Sequence, residues 1–424
     1  MRFGLHCAGD RVVAATFARG VLRDHRTAPV ISGDPLTSAV TLLTGLPKAD
    51  SRRMDAPAVA SFTFEVSEIL RPDVTTPVHL IRVSPRTGQG PFDPFTLPWL
   101  AATGAAGPRI LHVPGGHNAR GQEIVSLDVA GLASLPTVSR TAPRFVVTAV
   151  GSLLNPAHEL RVGSELQRQF PGANIEYSHQ FHHTSFAVRE RTAFLNLALR
   201  ERAESIVTAL SVAARGAYPA ARLFVATNCG GSIPLTRLAA TPIDALASLH
   251  ATQAMGAAAV AGTTSGTLTF EVGGERRWCE LANGIPSVVP ALHSSTFGKL
   301  ATPASNVRLG AGNVASAATD VSPHDSTAPE GVTFAAAGAA RMPRVDWLMT
   351  LLQSRNEAEM LRSKEAAEAR LHARLVSTGV PPEHVRTVES LVTATSYGNP
   401  EVIALRIRAI ADEDRPIARE GVPA

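Results

Sequence analysis

Long apolar runs, aromatic residues and cysteines are all scarce in this chain. Across 424 residues no uninterrupted apolar stretch approaches the ~18 residues that a membrane-spanning helix needs. The opening MRFGLHCAGDRVV has no apolar core of the length a secretory signal requires. Membrane spanning and secretion are therefore disfavoured, and a cytoplasmic location is expected. The three cysteines, Cys7, Cys229 and Cys279, are odd in number and widely spaced, which argues for reduced thiols over a disulfide frame or a zinc site. Charge of one sign is missing too, with 40 Lys and Arg against 36 Asp and Glu. Although the pI is about 9.3, the basic residues are scattered, so no nucleic-acid partner is expected. There is no GxSxG elbow, no Walker A run, no GxGxxG with an acidic partner, and no short-period repeat.

What is present suits a soluble globular protein. Hydrophobic residues make up 45% and charged residues 18%, enough to bury a full core, and the length predicts two or three domains at ~150 residues each. Phe3 and Leu5, then Ala8-Gly9-Asp10, then Val12, Val13 and Ala15 predict a β-hairpin. A looser Pro, Thr and Asp-rich stretch follows to about residue 75. Thr76 to Val83 and Arg109 to Val113 read as strands, separated by PGGHNARG loop chemistry from a third, FVVTAV, of the buried β-branched kind. Asn155 as N-cap and Pro156 in the first turn predict a helix carrying Val162, Leu166 and Phe170. A long alanine-rich helix is expected over Phe186 to Arg215, a strand at Arg222 to Asn228, a helix over Ile243 to Val260, and a strand at Thr267 to Val272. Residues from Ser294 to Ala340 read as mostly loop, and Val345 to about Thr395 as helical. Strands alternating with helices predict an α/β fold with substantial parallel sheet.

Several of these segments resemble one family. Leu154-Asn155-Pro156-Ala157-His158-Glu159, directly after FVVTAV, resembles the LNPAHE element of the hydantoinase A and 5-oxoprolinase family. Arg189-Glu190-Arg191-Thr192 with Leu195-Asn196 is similar to its ERT helix start, Thr227-Asn228-Cys229-Gly230-Gly231 to its SNGG loop, and Thr241-Pro242 to the end of the following helix. Gly115 to Asp128 resembles its upstream RxDxxGxxxxPLD segment. The resemblance runs over about residues 1 to 410. It implies a two-lobed actin-like ATPase fold (ribonuclease H-like, mixed sheets flanked by helices) in which a β-hairpin from each lobe holds phosphates. Relatives use ATP to open cyclic amides such as hydantoin and 5-oxoproline, or to activate ketones for carboxylation, commonly with a hydantoinase B-like partner subunit. On this basis residues 1–185 are expected to form an N-terminal region, 186–411 a region with the second hairpin and C-terminal helices, and 412–424 a tail; longer relatives continue further, so the form is shortened and an oligomer is expected.

Phosphate-holding hairpins need paired glycines, because backbone N–H groups must come close to phosphate oxygens, together with a hydroxyl donor and an acidic residue for Mg²⁺ or water. The family pattern is DxGGT. Here the second copy is Glu271-Val272-Gly273-Gly274-Glu275, which keeps the turn but places Glu275 where a hydroxyl should meet phosphate. The first copy aligns His6 with the aspartate, Ala8 and Gly9 with the glycines, and Asp10 with the threonine. Arg11, Arg276 and Arg277 stand ready to offset the added negative charge. The GAGGGS loop of relatives becomes Gly310-Ala311-Gly312-Asn313-Val314-Ala315-Ser316, and their SGPAAG helix start becomes Ser248-Leu249-His250-Ala251-Thr252-Gln253. The resemblance thus implies Gly9, Gly230, Gly231, Gly273, Gly274, Gly310 and Gly312 as ATP-binding positions and Glu271 as the catalytic carboxylate, with ATP and Mg²⁺ as cofactors. Two readings stay open: a modified ATP-dependent enzyme, or a non-catalytic scaffold or regulatory subunit that keeps the fold without the ATPase chemistry.

Other clusters have plainer explanations. His179, His182 and His183 have metal-ligand spacing but lack a close acidic or thiol companion other than Glu176, and partly exposed loop histidines are the simpler reading. Cys229 in its glycine loop invites a nucleophile role, although a buried thiol is the commoner outcome. Asp320, His324 and Asp325 are a second possible metal cluster in a loop-rich segment, where such residues often serve turns. His117 stands where relatives usually have arginine, and a plain loop role is expected.

Overall fold

The first hairpin forms as its apolar pattern demands: β1 (Arg2–Cys7) and β2 (Arg11–Ala18) pair antiparallel from Arg2↔Phe17 to Cys7↔Val12. A computed structural model of the chain describes residues 1–18, 21–30, 33–45, 61–73, 76–85, 108–135, 143–310, 319–321, 333–394 and 401–411. After β3 (Val21–Pro29) comes α1 (Pro35–Thr44), whose N-cap Asp34 accepts from the Leu36 and Thr37 amides. Next is β4 (Ser61–Glu65), buried at every position. The supposedly loose stretch before residue 75 therefore contains a helix and a central strand. SFTFE does alternate polar and apolar residues, but at five residues it is a short signal within a Pro-, Thr- and Asp-rich stretch.

The parallel part holds the expected strands β5 (Val78–Ser84), β6 (Arg109–Pro114) and β7 (Arg144–Ala149) and helix α2 (Ala157–Gln169), and adds a strand not expected from the sequence, β8 (Asn174–Tyr177). These strands form a sheet in the order β8-β7-β5-β6, parallel throughout. Its core joins Ile81, Val83, Phe145 and Val147 to Val162 and Leu166 of α2. Asn155 does accept from the Ala157 amide at 3.1 Å, although Pro156 precedes the first helical residue. The long α3 (Phe186–Ala217), with Ser185 as its cap, leads into β9 (Arg222–Ala226) and β10 (Ser232–Pro234). The helix expected from Ile243 is interrupted: Pro242–Ala245 is a single 3₁₀ turn, Ala247 takes a left-handed φ of 58°, and α4 spans Ser248–Ala261.

The second hairpin, β11 (Gly266–Val272) and β12 (Glu275–Ala282), pairs from Gly266↔Leu281 to Val272↔Glu275. Two short strands, β13 (Arg308–Leu309) against β12 and β14 (Thr319–Val321) against β11, extend its sheet. The presumed loop up to residue 340 ends in a helix, α5 (Phe334–Arg341). The largest correction follows it, because Val345 to Thr395 is helical only at α6 (Glu357–Val376), between β15 (Arg344–Gln353) and β16 (Val385–Ala394). Leu and Met in RVDWLMTLLQ suit a helix, but β15 pairs along its whole length with β17 (Val402–Ala411), and tertiary pairing outweighs local propensity. The resulting nine-stranded mixed sheet has the order β16-β17-β15-β10-β9-β4-β1-β2-β3. It takes strands from before residue 185 and from after it.

Three glycines bring backbones together behind the first hairpin. A Cβ on Gly256 of α4 would lie 1.9 Å from the Phe334 carbonyl oxygen, and one on Gly338 of α5 would lie 1.8 Å from that of Thr252. A Cβ on Gly4 of β1 would lie 2.1 Å from the Ala336 carbonyl oxygen. The helices α4 and α5 thus touch main chain to main chain, and α5 lies directly on β1. Gly338→Ala is expected to cost at least ~2 kcal/mol by overpacking. Exposed Gly216 of α3 has open space, so Gly216→Ala should gain up to ~1 kcal/mol in helix propensity. Urea-unfolding free energies of the two variants check this, and equal effects would refute the packing argument.

Candidate functional site

Both hairpin turns open on one cleft of about 370 Å³. His6, Ala8, Asp10 and Arg11 enter it from the first hairpin, and Glu271, Val272 and Gly273 from the second. Leu249 and Gln253 of α4 and the start of α5, Thr333 to Ala335, complete it, with Glu68 from the loop after β4. The glycine-packed helices described above thus form the floor between the two turns.

The second turn is a two-residue loop with Gly273 at φ +61° and Gly274 at φ +79°. Left-handed conformation at both central residues matches a type I′ turn, which suits the twist of the flanking strands. Nothing lies within 4 Å of a Cβ added at either position. The glycines here serve the turn itself. Glu271 is exposed and lines the cleft. Glu275, expected to confront a phosphate, instead pairs with Arg277 at 3.0 Å, and Arg277 also donates to Gln253 at 2.7 Å.

The first turn differs from the expected cradle. Its Gly9 amide donates to the Glu68 carboxylate at 2.8 Å. His6 Nε2 sits 3.3 Å from Glu65 Oε2 and 4.0 Å from Glu68 Oε1, between two carboxylates. Glu65 is fully buried, and its other oxygen accepts from the Ser67 amide at 3.0 Å and from Ser248 Oγ at 2.7 Å. A chain of contacts therefore runs from the start of α4 through Glu65 and His6 to Glu68 and the first turn. Burial, with Glu65 and Glu68 nearby, pushes the Cys7 thiol far up. Neither Glu65 nor Glu68 was singled out from the sequence, because TFEVSE lay in the stretch read as loose. The strand ending in a carboxylate beside a glycine hairpin was the available signal.

The remaining glycine positions do other work. A Cβ on Gly230 would lie 2.6 Å from Pro286 Cδ, and one on Gly231 2.4 Å from Val345 Cβ. Both are packing glycines, absent from the cleft wall among the described residues. Gly310 caps the strand β13 by donating to the Arg276 carbonyl at 2.9 Å, again away from the cleft lining. Gly312, His324 and Asp325 lie outside the described residues, as does the side chain of Asp320.

The motif residues build an internal knot. Glu159 Oε1 accepts from the Ala149 amide at 2.8 Å and from Ser178 Oγ at 2.6 Å, while Oε2 accepts from the His179 amide at 3.0 Å. Burial would raise this carboxyl, but hydrogen bonds from His179 and Ser178 outweigh it and hold it below the ordinary range. His158 accepts from the Gly116 amide at 3.0 Å and meets Glu123 at 2.9 Å. Arg189 reaches the His183 and Ala149 carbonyls, and Glu190 holds Arg82 with two 2.7 Å bonds. Burial, eased by Arg200 and Asn196, pushes Glu176 up to about 7.

The histidine run is a partly exposed loop, as expected. His179 pairs with Glu159, His183 Nδ1 accepts from the Ser185 amide at 3.0 Å, and His182 and His183 are half-buried. No metal-holding group of acidic, histidine or cysteine side chains occurs among the described residues. Cys229 is buried beside Thr227 Oγ1 at 3.2 Å, with its thiol pushed up by burial, as expected of a structural thiol. His117 is buried in a short strand against Glu123–Val125, its ring 4.1 Å from that of His158. No described helix is long and apolar enough to cross a membrane.

No protein-family model matches the sequence, and no curated protein matches it. Solved structures do match in shape. An ATP-dependent caprolactamase from Pseudomonas jessenii is 12% identical and superposes with a TM-score of 0.67 over 100% of this chain and 89% of its own. A nucleotide-free structure of acetone carboxylase, studied for ATP-dependent acetone carboxylation, is 10% identical, with a TM-score of 0.59 over 99% of this chain and 88% of its own. What the three chains share is the fold, the mixed α/β architecture of actin-like ATPase type that the sequence resemblance implied.

Burial lowers both His182 and His183 to about 4, against ~6.5 for histidine in an unfolded chain. The unfolded state therefore takes up their protons first, and stability should fall as pH drops from ~6.5 towards ~4, with an extra proton taken up per histidine on unfolding. Unfolding free energies over that range should show a slope that His182→Gln reduces. A slope unchanged by the substitution would contradict the assignment.

Proposed function

We propose that the chain is a member of the hydantoinase A and 5-oxoprolinase family, and that the cleft between its hairpins is the place for ATP and Mg²⁺. The reaction class is ATP-dependent opening of a cyclic amide C–N bond, as in hydantoin or 5-oxoproline, or the related activation of a ketone for carboxylation. The observation carrying this reading is the convergence of both hairpin turns on one cleft, in a fold shared with an ATP-dependent caprolactamase and with acetone carboxylase.

The residues fit such a ligand in part. The start of α5, Thr333 to Ala335, lines the cleft, and a helix N-terminus favours anions. Arg11 supplies positive charge, and Glu271 offers a hard oxygen ligand for Mg²⁺ or an orienting group for water. Gly273 lines the cleft near Glu271. ATP, when bound, supplies a phosphoryl group that turns an amide or carboxylate oxygen into a leaving group. A hydantoinase B-like partner subunit, an oligomeric state and a cytoplasmic location belong to the same reading, the last in keeping with three free, buried cysteines.

One observation favours the alternative of a non-catalytic scaffold or regulatory subunit: the Gly9 amide is bonded to Glu68. Calorimetric titration with ATP and a non-hydrolysable analogue, with and without Mg²⁺, separates the two. The enzyme reading expects saturable, Mg²⁺-dependent binding, weakened at least ~tenfold by Gly273→Val because valine is strained at that positive φ. Absence of binding at millimolar nucleotide would leave the scaffold.

A further inference from the structure

We infer that Glu68 sets which anions the cleft accepts, by holding the Gly9 amide with its own carboxylate in the place of a ligand phosphate oxygen. This rests on reading the cleft as a nucleotide site. Three observations carry it. The Gly9 amide donates to Glu68 Oε2 at 2.8 Å, a charge-assisted bond of the geometry a phosphate oxygen would use. A Cβ on Gly9 would meet only that same oxygen, at 3.8 Å, so the space over this glycine is taken by Glu68 and by no other group within 4 Å. The second oxygen lies 4.0 Å from His6 Nε2, which places the carboxylate across the mouth of the first turn.

Glu68 and Glu65 differ in how they are held. Glu65 is fully buried and fixed by the Ser67 amide and Ser248 Oγ, so it belongs to the frame. The Glu68 side chain is 35% exposed and has Gly9 and His6 as its cleft-side contacts, so it can swing outward without unmaking the core. A polyphosphate must displace it from the amide and then tolerate its charge nearby. The cleft therefore disfavours polyphosphates in proportion to how firmly Glu68 stays in place. A neutral or cationic group meets no such opposition.

Titration of the full chain and of Glu68→Ala and Glu68→Gln with inorganic pyrophosphate and with ATP plus Mg²⁺ tests this. Glutamine keeps an acceptor for Gly9 without the charge, and alanine removes both. Both variants are expected to bind on the order of tenfold to a hundredfold more tightly than the parent, alanine the more so. Glu204→Gln, an exposed change on α3, should leave affinity unaltered. Equal affinities for parent and Glu68 variants would overturn the inference and leave the nucleotide reading intact. An equal gain in Glu204→Gln would overturn it as a bulk charge effect. No binding by any variant, with thermal melts showing each is folded, would overturn both.

Discussion

Main-chain contact between β1, α5 and α4 is the constraint on which the cleft depends. Gly4, Gly256 and Gly338 remove the side chains that would hold these backbones apart. With them in contact, the first turn, the starts of both helices and the second hairpin all face the same space. A protein interior packed at crystal-like density has little slack to absorb an added methyl group where the nearest atom is a carbonyl oxygen. The site geometry is thus set from behind, by residues that no ligand touches. Buried Glu65 adds a polar tie between α4 and the first hairpin through Ser248 and His6.

The motif residues most characteristic of the family resemblance lie elsewhere. Glu159, His158, Arg189 and Glu190 are each satisfied by backbone groups or by a side-chain partner, Ser178 and His179, Glu123, the Ala149 carbonyl and Arg82 respectively. Buried charges are tolerable when each is paired and hydrogen-bonded, and such networks hold loops in one arrangement. In this chain the LNPAHE element works as cement: Glu159 ties the end of β7 to Ser178 and His179, just after β8, and His158 ties Gly116 to Glu123. A recognisable motif and a reactive group need not coincide.

Legibility from sequence followed physical cause. Strands with β-branched runs, such as FVVTAV, and the two glycine-tipped hairpins could be read because their signals are local. β4 could not, since its five alternating residues, SFTFE, are a short signal inside a Pro-, Thr- and Asp-rich stretch, and with it went Glu65 and Glu68. β15 misled in the opposite direction: Leu and Met favour a helix, and only its pairing with a strand some fifty residues later makes it extended. The roles of Gly230 and Gly231 were equally hidden, because Pro286 and Val345, which they accommodate, are distant in sequence. Glu275 is neutralised by Arg277, one of the arginines its sequence neighbourhood offered.

The two hairpins are glycine-dependent for unlike reasons, and this bears on how such a chain changes over time. Gly4, in the first hairpin, admits no replacement without moving a helix. Gly273 and Gly274 are bounded by open space and answer only to a dihedral requirement, which asparagine or aspartate also meets at modest strain. Lineages descended from such a chain can shed the glycine pair at the tip of the second hairpin while the cleft keeps its shape. Ancestry in this fold is then recorded in the glycines that face helices, and is erased first in the glycines that face solvent.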